Sequence, residues 1–264
     1  MSKIRFFKYE GTGNDFILID NRDDRFDDDK ELIRKLCHRR FGVGADGLMF
    51  LERSDVAAFT MRYFNSDGNE STMCGNGGRC ISAFAVHLGV APIDELFSFE
   101  AVDGIHEALV RDEIVSLKMV DVKGVEIMEE GMFLDSGSPH YVRFVDDPEE
   151  VDVFSEGTFW RNHDRFAPEG TNVNFVGNAS GGNIIMRTFE RGVEDETWSC
   201  GTGAVASAIA SSLRYGGGEK FVMKVPGGEL TVSFKVSGDQ SFTDVWLKGP
   251  ARFVFDGNYP ERKR

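Results

Sequence analysis

Basic residues are scarce in this sequence relative to acidic ones, and long apolar runs are missing. Thirty Lys and Arg side chains stand against 44 Asp and Glu, which gives a net charge of −14. A chain this acidic repels a phosphate backbone unless a basic stripe offsets the charge, and the sequence contains none. No apolar run approaches the ~18 residues that a membrane span needs. The composition favours a small-molecule substrate and excludes nucleic acid and membrane partners.

Targeting and low-complexity segments are also missing. The start, "MSKIRFFKYEG", lacks the apolar stretch of a signal peptide. No biased segment is long enough to indicate disorder. We therefore expect a globular protein of the cytoplasm.

Cysteine and histidine are few and are not spaced as metal ligands. Cys74 and Cys80, the nearest pair among four cysteines, are too far apart for a C-x2-C pattern, and the five histidines form no H-x3-H or H-E-x-x-H pattern. A disulfide framework is not expected in a cytoplasmic chain of 264 residues. The sequence therefore predicts neither a metal site nor structural disulfides.

Four short patterns occur twice, in the same order. The pairs are "GTGND" (11–15) and "DSGSP" (135–139), "HRRF" (38–41) and "HDRF" (163–166), "FTMRYFN" (59–65) and "IIMRTFE" (184–190), and "CGNG" (74–77) and "CGTG" (200–203). Their offsets are 124, 125, 125 and 126 residues. Four collinear matches with so little drift indicate duplication of a domain of about 120 residues.

The duplication predicts an α/β (α+β) protein of two pseudosymmetric domains. We place the first at 1–117 and the second at 118–264, with about the last ten residues able to return to the first half. Segments such as "EALVRDEIVSLKMV" and "EKFVMKVPGGELTVSFKV" indicate antiparallel hairpins rather than a Rossmann series. Each domain is expected to wrap a mixed or mainly antiparallel sheet around a central helix.

Each Cys-Gly-x-Gly pattern precedes apolar residues at helical spacing. These are Ile81, Phe84, Ala85 and Leu88 after Cys74, and Val205, Ala208, Ile209 and Ser212 or Leu213 after Cys200. A thiol at a helix N-terminus lies at the positive end of the helix dipole, among N–H groups that have no intrahelical acceptor. Both features favour the thiolate, and the same N–H groups can hold a carboxylate.

Two such thiols suit stereoinversion at carbon. A thiolate removes the α-proton from one face while the opposite thiol delivers a proton to the other. The helix N-termini stabilise charge on the substrate carboxylate. We expect the halves to close over the substrate, with the active site in the cleft between them and no cofactor.

Other interpretations of these residues stay open at this point. Cys74 and Cys200 could form a disulfide in a thiol redox or binding protein, although neither half has the C-x-x-C spacing. "GTGAVA" at 201–206 matches the end of a dinucleotide fingerprint, but "EDETWSC" precedes it in place of a strand. Cys37 and Cys80 are expected to be small buried hydrophobes.

The motifs around the paired cysteines resemble those of diaminopimelate epimerases almost from end to end. The matching segments are "GTGNDF", "RRFGVGADG", "FNSDGNESTMCGNGGRC", "SPHYV", "TNVNF", "ERGVEDET" and "CGTGA". The resemblance implies an isomerase that interconverts LL- and meso-2,6-diaminopimelate without pyridoxal phosphate, in lysine and peptidoglycan biosynthesis. It also implies a two-domain fold and a homodimer.

The resemblance assigns roles to individual residues. Cys74 and Cys200 become the catalytic acid-base pair, the first acting on the LL substrate and the second on the meso centre. His140 and Glu190 support the reacting centre, and Arg191 pairs with the distal carboxylate. The implied substrate-binding residues are Asn14, Asn65, Gly75, Asn76, Asn172, Glu190, Arg191, Gly201 and Thr202.

Two positions depart from the pattern of the family. Gly47 stands where a glutamine is often found, so that a side-chain contact is missing or is replaced by backbone. Ser138 replaces the asparagine of "GNPH", and a serine makes a hydrogen bond from a shorter reach. A proline or hydroxyproline racemase-like enzyme is the alternative within the same structural superfamily. That alternative needs no handle for a distal carboxylate and ammonium, so Arg191 and three asparagines argue against it.

Overall fold

The protein is described by a computed structural model over residues 3–178, 183–216, 218–238 and 240–260. The strands in these residues are β1 (Lys3–Gly11), β2 (Asn14–Asp20), β3 (Gly47–Glu52), β4 (Thr60–Asn65), β5 (Glu70–Ser71), β6 (Leu96–Ala101), β7 (Gly104–Arg111), β8 (Ile114–Lys118), β9 (Val122–Lys123), β10 (Glu126–Met128), β11 (Gly131–Asp135), β12 (Pro139–Phe144), β13 (Asn172–Asn178), β14 (Ile184–Glu190), β15 (Asp195–Thr197), β16 (Lys220–Val225), β17 (Gly228–Gly238), β18 (Ser241–Pro250) and β19 (Arg252–Pro260). The α-helices are α1 (Lys30–Cys37), α2 (Gly75–His87), α3 (Val153–Arg161) and α4 (Gly201–Tyr215), and 3-10 turns occur at Pro148–Glu150 and Asp164–Phe166. No helix among the described residues has the length and apolar character to cross a membrane.

The chain divides into two compact units. Unit 1 comprises Met1–Leu117 together with Pro250–Arg264, and unit 2 comprises Lys118–Gly249. The last strand explains why unit 1 includes the carboxyl-terminal segment, because β19 pairs antiparallel with β1 along almost its whole length. The carboxyl-terminal segment thus completes the sheet of the amino-terminal unit.

Both units repeat one order of strand pairing. In unit 1, β1 is antiparallel to β2, β2 is parallel to β3, β3 is antiparallel to β4, and β4 is parallel to β6, which continues antiparallel through β7 to β8. Strands β11, β12, β13, β14, β16, β17 and β18 repeat that order in unit 2. The predicted α/β class, the duplication and both antiparallel hairpins are confirmed.

Equivalent helices pack on equivalent strands. On the predicted apolar faces of α2 and α4, Ile81, Phe84, Val205 and Ile209 are inaccessible to solvent. Near the end of α4 the prediction is wrong for Leu213, which is 37% exposed, and the neighbouring Ser212 is buried instead. Both helices are rich in Gly, Ala and Ser, and these small residues allow each helix to lie close to its sheet. On α1, Ile33 and Leu36 join a second apolar cluster with residues of β2 and β3, and α3 contributes Val153 to the corresponding cluster in unit 2.

The repeated "H-x-R-F" pattern corresponds to a repeated turn. The Nδ1 atom of His38 accepts a hydrogen bond from the backbone N–H of Arg40 at 3.1 Å, and that of His163 accepts one from Arg165 at 3.2 Å. A histidine side chain thus caps each turn, as Asp and Ser do more commonly. The histidine of the pattern therefore has the same local role in both halves.

Candidate active site

Cys74 and Cys200 occupy the same position in the two units, as N-caps of α2 and α4. The Sγ atom of Cys74 accepts a hydrogen bond from the backbone N–H of Gly77 at 3.2 Å, and the Sγ of Cys200 accepts one from Gly203 at 3.4 Å. Both cysteines have extended backbone dihedrals, as N-cap residues do. The prediction that a helix begins directly after each cysteine is confirmed.

The second glycine of each Cys-Gly-x-Gly pattern lies where a side chain would be crowded. A Cβ atom at Gly77 would lie 3.1 Å from the Sγ of Cys74, and one at Gly203 would lie 2.5 Å from the Oδ1 of Asn174. A side chain at Gly77 would be tight against the sulfur of the same unit, and one at Gly203 would collide with Asn174. The glycine therefore leaves room for the thiol in unit 1 and for the amide of Asn174 in unit 2.

In unit 1 a polar network fixes the carboxamide of Asn14. Its Nδ2 donates to a carboxylate oxygen of Asp46, and its Oδ1 accepts a hydrogen bond from the Nδ2 of Asn76 at 3.2 Å. Arg39 in turn donates to Asp46 at 2.6 Å and to Asp15 at 2.7 Å. Asn14 and Asn76, predicted as substrate-binding residues, are thus adjacent and are held at the first turn of α2.

Asp15 is the charged centre of this network. Burial alone would raise the pKa of its carboxyl group, but hydrogen bonds and charge from Arg39 and Lys8 lower it to about 2. The Nζ atom of Lys8 lies 2.6 Å from Asp15 and also donates to the carbonyl oxygen of Gly44. Since Lys8 is only 6% exposed, its ammonium depends on Asp15 for its counter-charge.

In unit 2 a chain of hydrogen bonds sets the tautomer of His140. The hydroxyl of Thr188 donates to the Oδ1 of Asn174 at 2.9 Å, so the amide Nδ2 of Asn174 faces the Nδ1 of His140 at 3.0 Å. Nδ1 is then the acceptor, and the ring proton lies on Nε2. Nε2 is 2.9 Å from the hydroxyl oxygen of Thr202 and 3.0 Å from that of Ser138.

His140 stays neutral and connects to the thiol through Thr202. Burial, with a smaller contribution from the charge of Arg191, lowers the pKa of His140 to about 3. The Thr202 hydroxyl accepts from Nε2 of the neutral ring and lies 3.4 Å from the Sγ of Cys200. This hydroxyl can therefore donate its own proton toward the sulfur, which supports a negative charge there.

Asn172 links the other predicted residues of unit 2. Its Nδ2 donates to Ser138 at 3.3 Å and to the carbonyl oxygen of Pro139 at 2.9 Å, and its Oδ1 accepts from the backbone N–H of Arg191 at 2.9 Å. Glu190 accepts a hydrogen bond from Thr197 at 3.0 Å. Ser138, Asn172, His140, Thr202 and Cys200 thus form one connected cluster.

Arg191 is a cation that lines a cavity. Among the described residues no carboxylate oxygen lies within 4 Å of its guanidinium, which instead approaches the carbonyl oxygens of Glu169 and Gly170 at 3.5 and 3.4 Å. The cavity has a volume of about 430 Å³ and also contacts Arg165, Glu126 and Phe133. Arg165 already pairs with Glu126, so Arg191 is the cation available to an anionic ligand there.

Gly47 has a steric reason for lacking a side chain. A Cβ atom there would lie 2.5 Å from the ring of Tyr63 and 2.6 Å from the carbonyl oxygen of Phe64. At the 125-residue offset, Gly47 corresponds to Asn172 and Tyr63 to Thr188. The large ring in unit 1 occupies space that the smaller threonine leaves open in unit 2, so a side chain at this position occurs in one half only.

Several residues of these clusters did not emerge from the sequence. Asp15, Arg39 and Asp46 of unit 1, and Asn174 and Thr188 of unit 2, support predicted residues across strands or loops. Parallel pairing of β2 with β3, in which Phe16 lies opposite Gly47, places Asp46 beside Asn14. The available signal in the sequence was that Asp46 directly precedes β3, the strand that pairs with β2. Of the predicted set, Asn65 is the exposed last residue of β4, and the structure gives its side chain no hydrogen bond among the described residues.

Comparison with known proteins places the chain in a family. It matches the family described as "Diaminopimelate epimerase" over residues 6–119 and 132–254. The chain belongs to this family. A diaminopimelate epimerase of Flavobacterium psychrophilum is 48% identical over 96% of this chain and 99% of its own, and one of Chlorobaculum tepidum is 43% identical over 94% and 98%.

Solved structures of other families share the fold. A phenazine biosynthesis protein of the PhzF family from Bacillus anthracis superposes with a TM-score of 0.79 at 14% identity, covering 99% of this chain and 100% of its own. A hydroxyproline epimerase from Agrobacterium vitis with bound trans-4-hydroxy-L-proline superposes with a TM-score of 0.67 at 15% identity, covering 97% and 92%. At this identity the likeness concerns the fold alone.

Among the described residues no group of three or more His, Cys, Asp and Glu side chains is arranged to hold a metal ion.

Proposed function

We propose that this chain interconverts LL- and meso-2,6-diaminopimelate through two cysteines, Cys74 and Cys200, without pyridoxal phosphate. The observation that carries the proposal is the repeated N-cap: two thiols take the same place on equivalent helices, in a chain that belongs to the diaminopimelate epimerase family. In this role the enzyme works in the cytoplasm, in lysine and peptidoglycan biosynthesis, as a homodimer.

The mechanism needs one thiolate and one thiol on opposite faces of one α-carbon. The thiolate takes the α-proton, so that the C–H bond breaks and an S–H bond forms. The other thiol delivers its proton to the opposite face, a new C–H bond forms, and that sulfur becomes the thiolate. The reaction is balanced in protons and requires no oxidant or reductant. The product leaves the two sulfurs with their protonation exchanged.

Helix N-termini stabilise the charge that develops during this exchange. The N–H groups of the first helical turn have no intrahelical acceptor, and the glycines beside each cysteine allow a carboxylate to approach them. We assign the α-carboxylate of the reacting centre to the N–H groups of Gly75, Asn76, Gly201 and Thr202. This interaction strengthens as negative charge builds up at the α-carbon.

The polar clusters of the two units hold the rest of the substrate. Arg191, whose guanidinium has no carboxylate within 4 Å among the described residues, receives the distal carboxylate, and Glu190 faces an ammonium group. Neutral His140 supports Cys200 through Thr202, since its ring donates from Nε2. The substrate-binding amides are Asn14, Asn65 and Asn172, with Ser138 supplying a hydroxyl.

A direct assay tests the proposal. The full chain under reducing conditions, without added pyridoxal phosphate, is expected to convert LL- into meso-diaminopimelate and to place deuterium at the α-carbon in D2O. Proline and trans-4-hydroxyproline, assayed in parallel, are expected to remain unchanged. Inversion of hydroxyproline but not of diaminopimelate, or activity that appears only with an oxidant, would contradict the proposal.

Arg191→Gln is expected to weaken recognition of the distal carboxylate. Loss of a charge-assisted hydrogen bond costs about 1.5–3 kcal/mol, so kcat/KM for LL-diaminopimelate should fall by about 10- to 100-fold, mostly through KM. Steady-state kinetics measure the effect. Arg165→Gln is the matched control, because Glu126 already neutralises that cation in the same cavity. An unchanged KM in Arg191→Gln would remove this residue from the substrate site.

A further inference from the structure

Arg79 is a completely buried cation on the second turn of α2. Its guanidinium donates to the carbonyl oxygen of Gly75 at 3.1 Å, to the hydroxyl of Thr12 at 2.9 Å and to the carbonyl oxygen of Pro250 at 3.3 Å. All three acceptors are neutral. In the part of the chain that the structure describes, no carboxylate oxygen lies within 4 Å of this guanidinium.

This placement is unfavourable for the fold by itself. A buried charge without a counter-ion carries a desolvation penalty of several kcal/mol. The N-terminus of a helix is already the positive end of its dipole, so a cation there meets like charge, and the first turn of α2 contains no acidic residue. Burial lowers the pKa of Arg79, but an arginine remains charged at neutral pH. An anion close to α2 is therefore expected.

Cys74 is the group that can supply this anion. It directly precedes Gly75, the residue whose carbonyl Arg79 holds, and its Sγ lies over the same first turn. Two other groups interact electrostatically with Arg79, namely Cys80 and Glu10. Burial strongly raises the pKa of Cys80, so it stays neutral. Glu10 is already engaged by Arg252 and by the N–H of Gly13.

Most of the other carboxylates on elements packed against α2 have partners of their own, including Asp20 with Arg22 and Asp256 with Arg5. Glu107 on β7 has no ion pair among the described residues. Asp15 on β2 pairs with Lys8 and Arg39, and Glu52 on β3 accepts a hydrogen bond from Asn21. Asp103, before β7, accepts from the backbone N–H of Met73 at 3.5 Å and contacts His106 of β7. Asp15, Glu52 and Asp103 each have a partner other than Arg79, and Cys74 is the group that lies at the turn whose carbonyl Arg79 holds.

The second half of the chain has no equivalent cation at this position. At the 126-residue offset of the cysteines, Arg79 corresponds to Val205, which is fully buried and apolar. Cys200 meets the hydroxyl of Thr202 and, through it, neutral His140. The two N-caps are alike in backbone geometry and differ in electrostatics.

We propose that Arg79 keeps Cys74 as the resting thiolate, while Val205 leaves Cys200 as the resting thiol. A two-thiol inversion needs one sulfur in each form when substrate arrives, and a symmetric site would leave that assignment to chance. Arg79 is a positioning residue that acts through Cys74, since its full burial keeps it from the substrate. The inference rests on the proposed function for its meaning, but its test requires no catalytic activity.

Thiol alkylation of the full chain provides the test. Iodoacetamide labelling from about pH 5 to about pH 9, with both cysteine peptides quantified by mass spectrometry, gives a separate pH midpoint for each thiol. The midpoint is independent of how accessible each sulfur is. In the unmodified chain the midpoint of Cys74 is expected at lower pH than that of Cys200. In Arg79→Met it is expected to rise by about one pH unit, so that labelling of Cys74 near neutral pH slows about 10-fold, while Cys200 changes less than about 2-fold.

Two further variants separate electrostatics from structure. Arg79→Lys keeps the charge and is expected to restore most of the low midpoint of Cys74, although the contacts with Thr12 and Pro250 are altered. Arg187→Met removes an arginine of unit 2 that is partly buried and also donates to backbone carbonyl oxygens, and it is expected to leave the Cys74 midpoint unchanged.

Three outcomes would overturn the proposal. They are a Cys200 midpoint below that of Cys74 in the unmodified chain, a Cys74 midpoint unchanged in Arg79→Met, and an equal shift in Arg79→Lys and Arg79→Met. The first comparison uses the unmodified chain, so it decides the question even where Arg79→Met does not fold. A chain that fails to epimerise diaminopimelate but shows the predicted midpoints would contradict the proposed function alone.

Discussion

Cys74→Ala and Cys200→Ala are each expected to abolish inversion of diaminopimelate. A positioned acid-base group contributes about 10²- to 10⁴-fold, and inversion needs both groups, so kcat should fall by at least about 10²-fold in either variant. Deuterium incorporation from D2O separates the two roles. Cys200→Ala is expected to retain slow α-proton exchange with LL substrate and Cys74→Ala with meso substrate, because the proposed mechanism assigns each thiol to one face of the α-carbon.

Cys37→Ala is the matched control for these variants. Cys37 is buried at the end of α1, where burial raises the pKa of its thiol to about 12, so it stays protonated and unreactive. Its replacement is expected to lower stability slightly and to leave inversion intact. Full-rate inversion in Cys74→Ala or in Cys200→Ala would contradict the two-thiol mechanism.

Asp15→Asn is expected to have the largest effect on stability. The substitution leaves the buried ammonium of Lys8 without its counter-charge, and breaking a buried pair in this way costs about 3–5 kcal/mol. Urea unfolding near neutral pH measures the loss. Asp20→Asn is the control, because Asp20 pairs with the half-exposed Arg22 and should cost less than about 1 kcal/mol. Adding Lys8→Met to Asp15→Asn is expected to recover part of the loss.

The same carboxylate makes stability depend on acid pH. The folded-state pKa of Asp15, about 2, lies below its ordinary value of 3.8, so the ionised form favours the folded state. This contribution is present above about pH 4 and is lost as the pH falls from about 4 toward 2. Unfolding measured across that range should fall more steeply for the unmodified chain than for Asp15→Asn. Equal slopes, or a loss below about 1 kcal/mol in Asp15→Asn at neutral pH, would show that Lys8 does not depend on Asp15.

Local sequence patterns predicted those parts of the fold that depend on contacts between residues close together in the chain. An N-cap contact spans three residues, from Cys74 to Gly77 and from Cys200 to Gly203, so the Cys-Gly-x-Gly pattern itself predicts a helix start with a thiol over it. The hairpin of β7 and β8 closes through a two-residue turn, which is a local feature too. Duplication then placed equivalent elements in both halves.

The side chains that orient the site residues through hydrogen bonds could not be predicted from local sequence patterns. Asn14 receives its orientation from Asp46 and Asn76, which are 32 and 62 positions away. His140 receives its tautomer from Asn174, 34 positions away, and from Thr202, 62 positions away. Such contacts depend on which strands lie side by side, and hydrophobic periodicity does not report side-chain partners across a sheet.

The sequence by itself determined the duplicated α/β fold, the two capping cysteines and the family, because these rest on residue types at short, repeated spacings. Tertiary structure alone decided that the two halves are electrostatically unequal. The burial of Arg79, the neutral state of His140 and the space that Tyr63 takes beside Gly47 each arise from packing between distant segments. Burial changes the energy of a charge by several kcal/mol, and the surroundings that set this change are assembled only when the sheet forms.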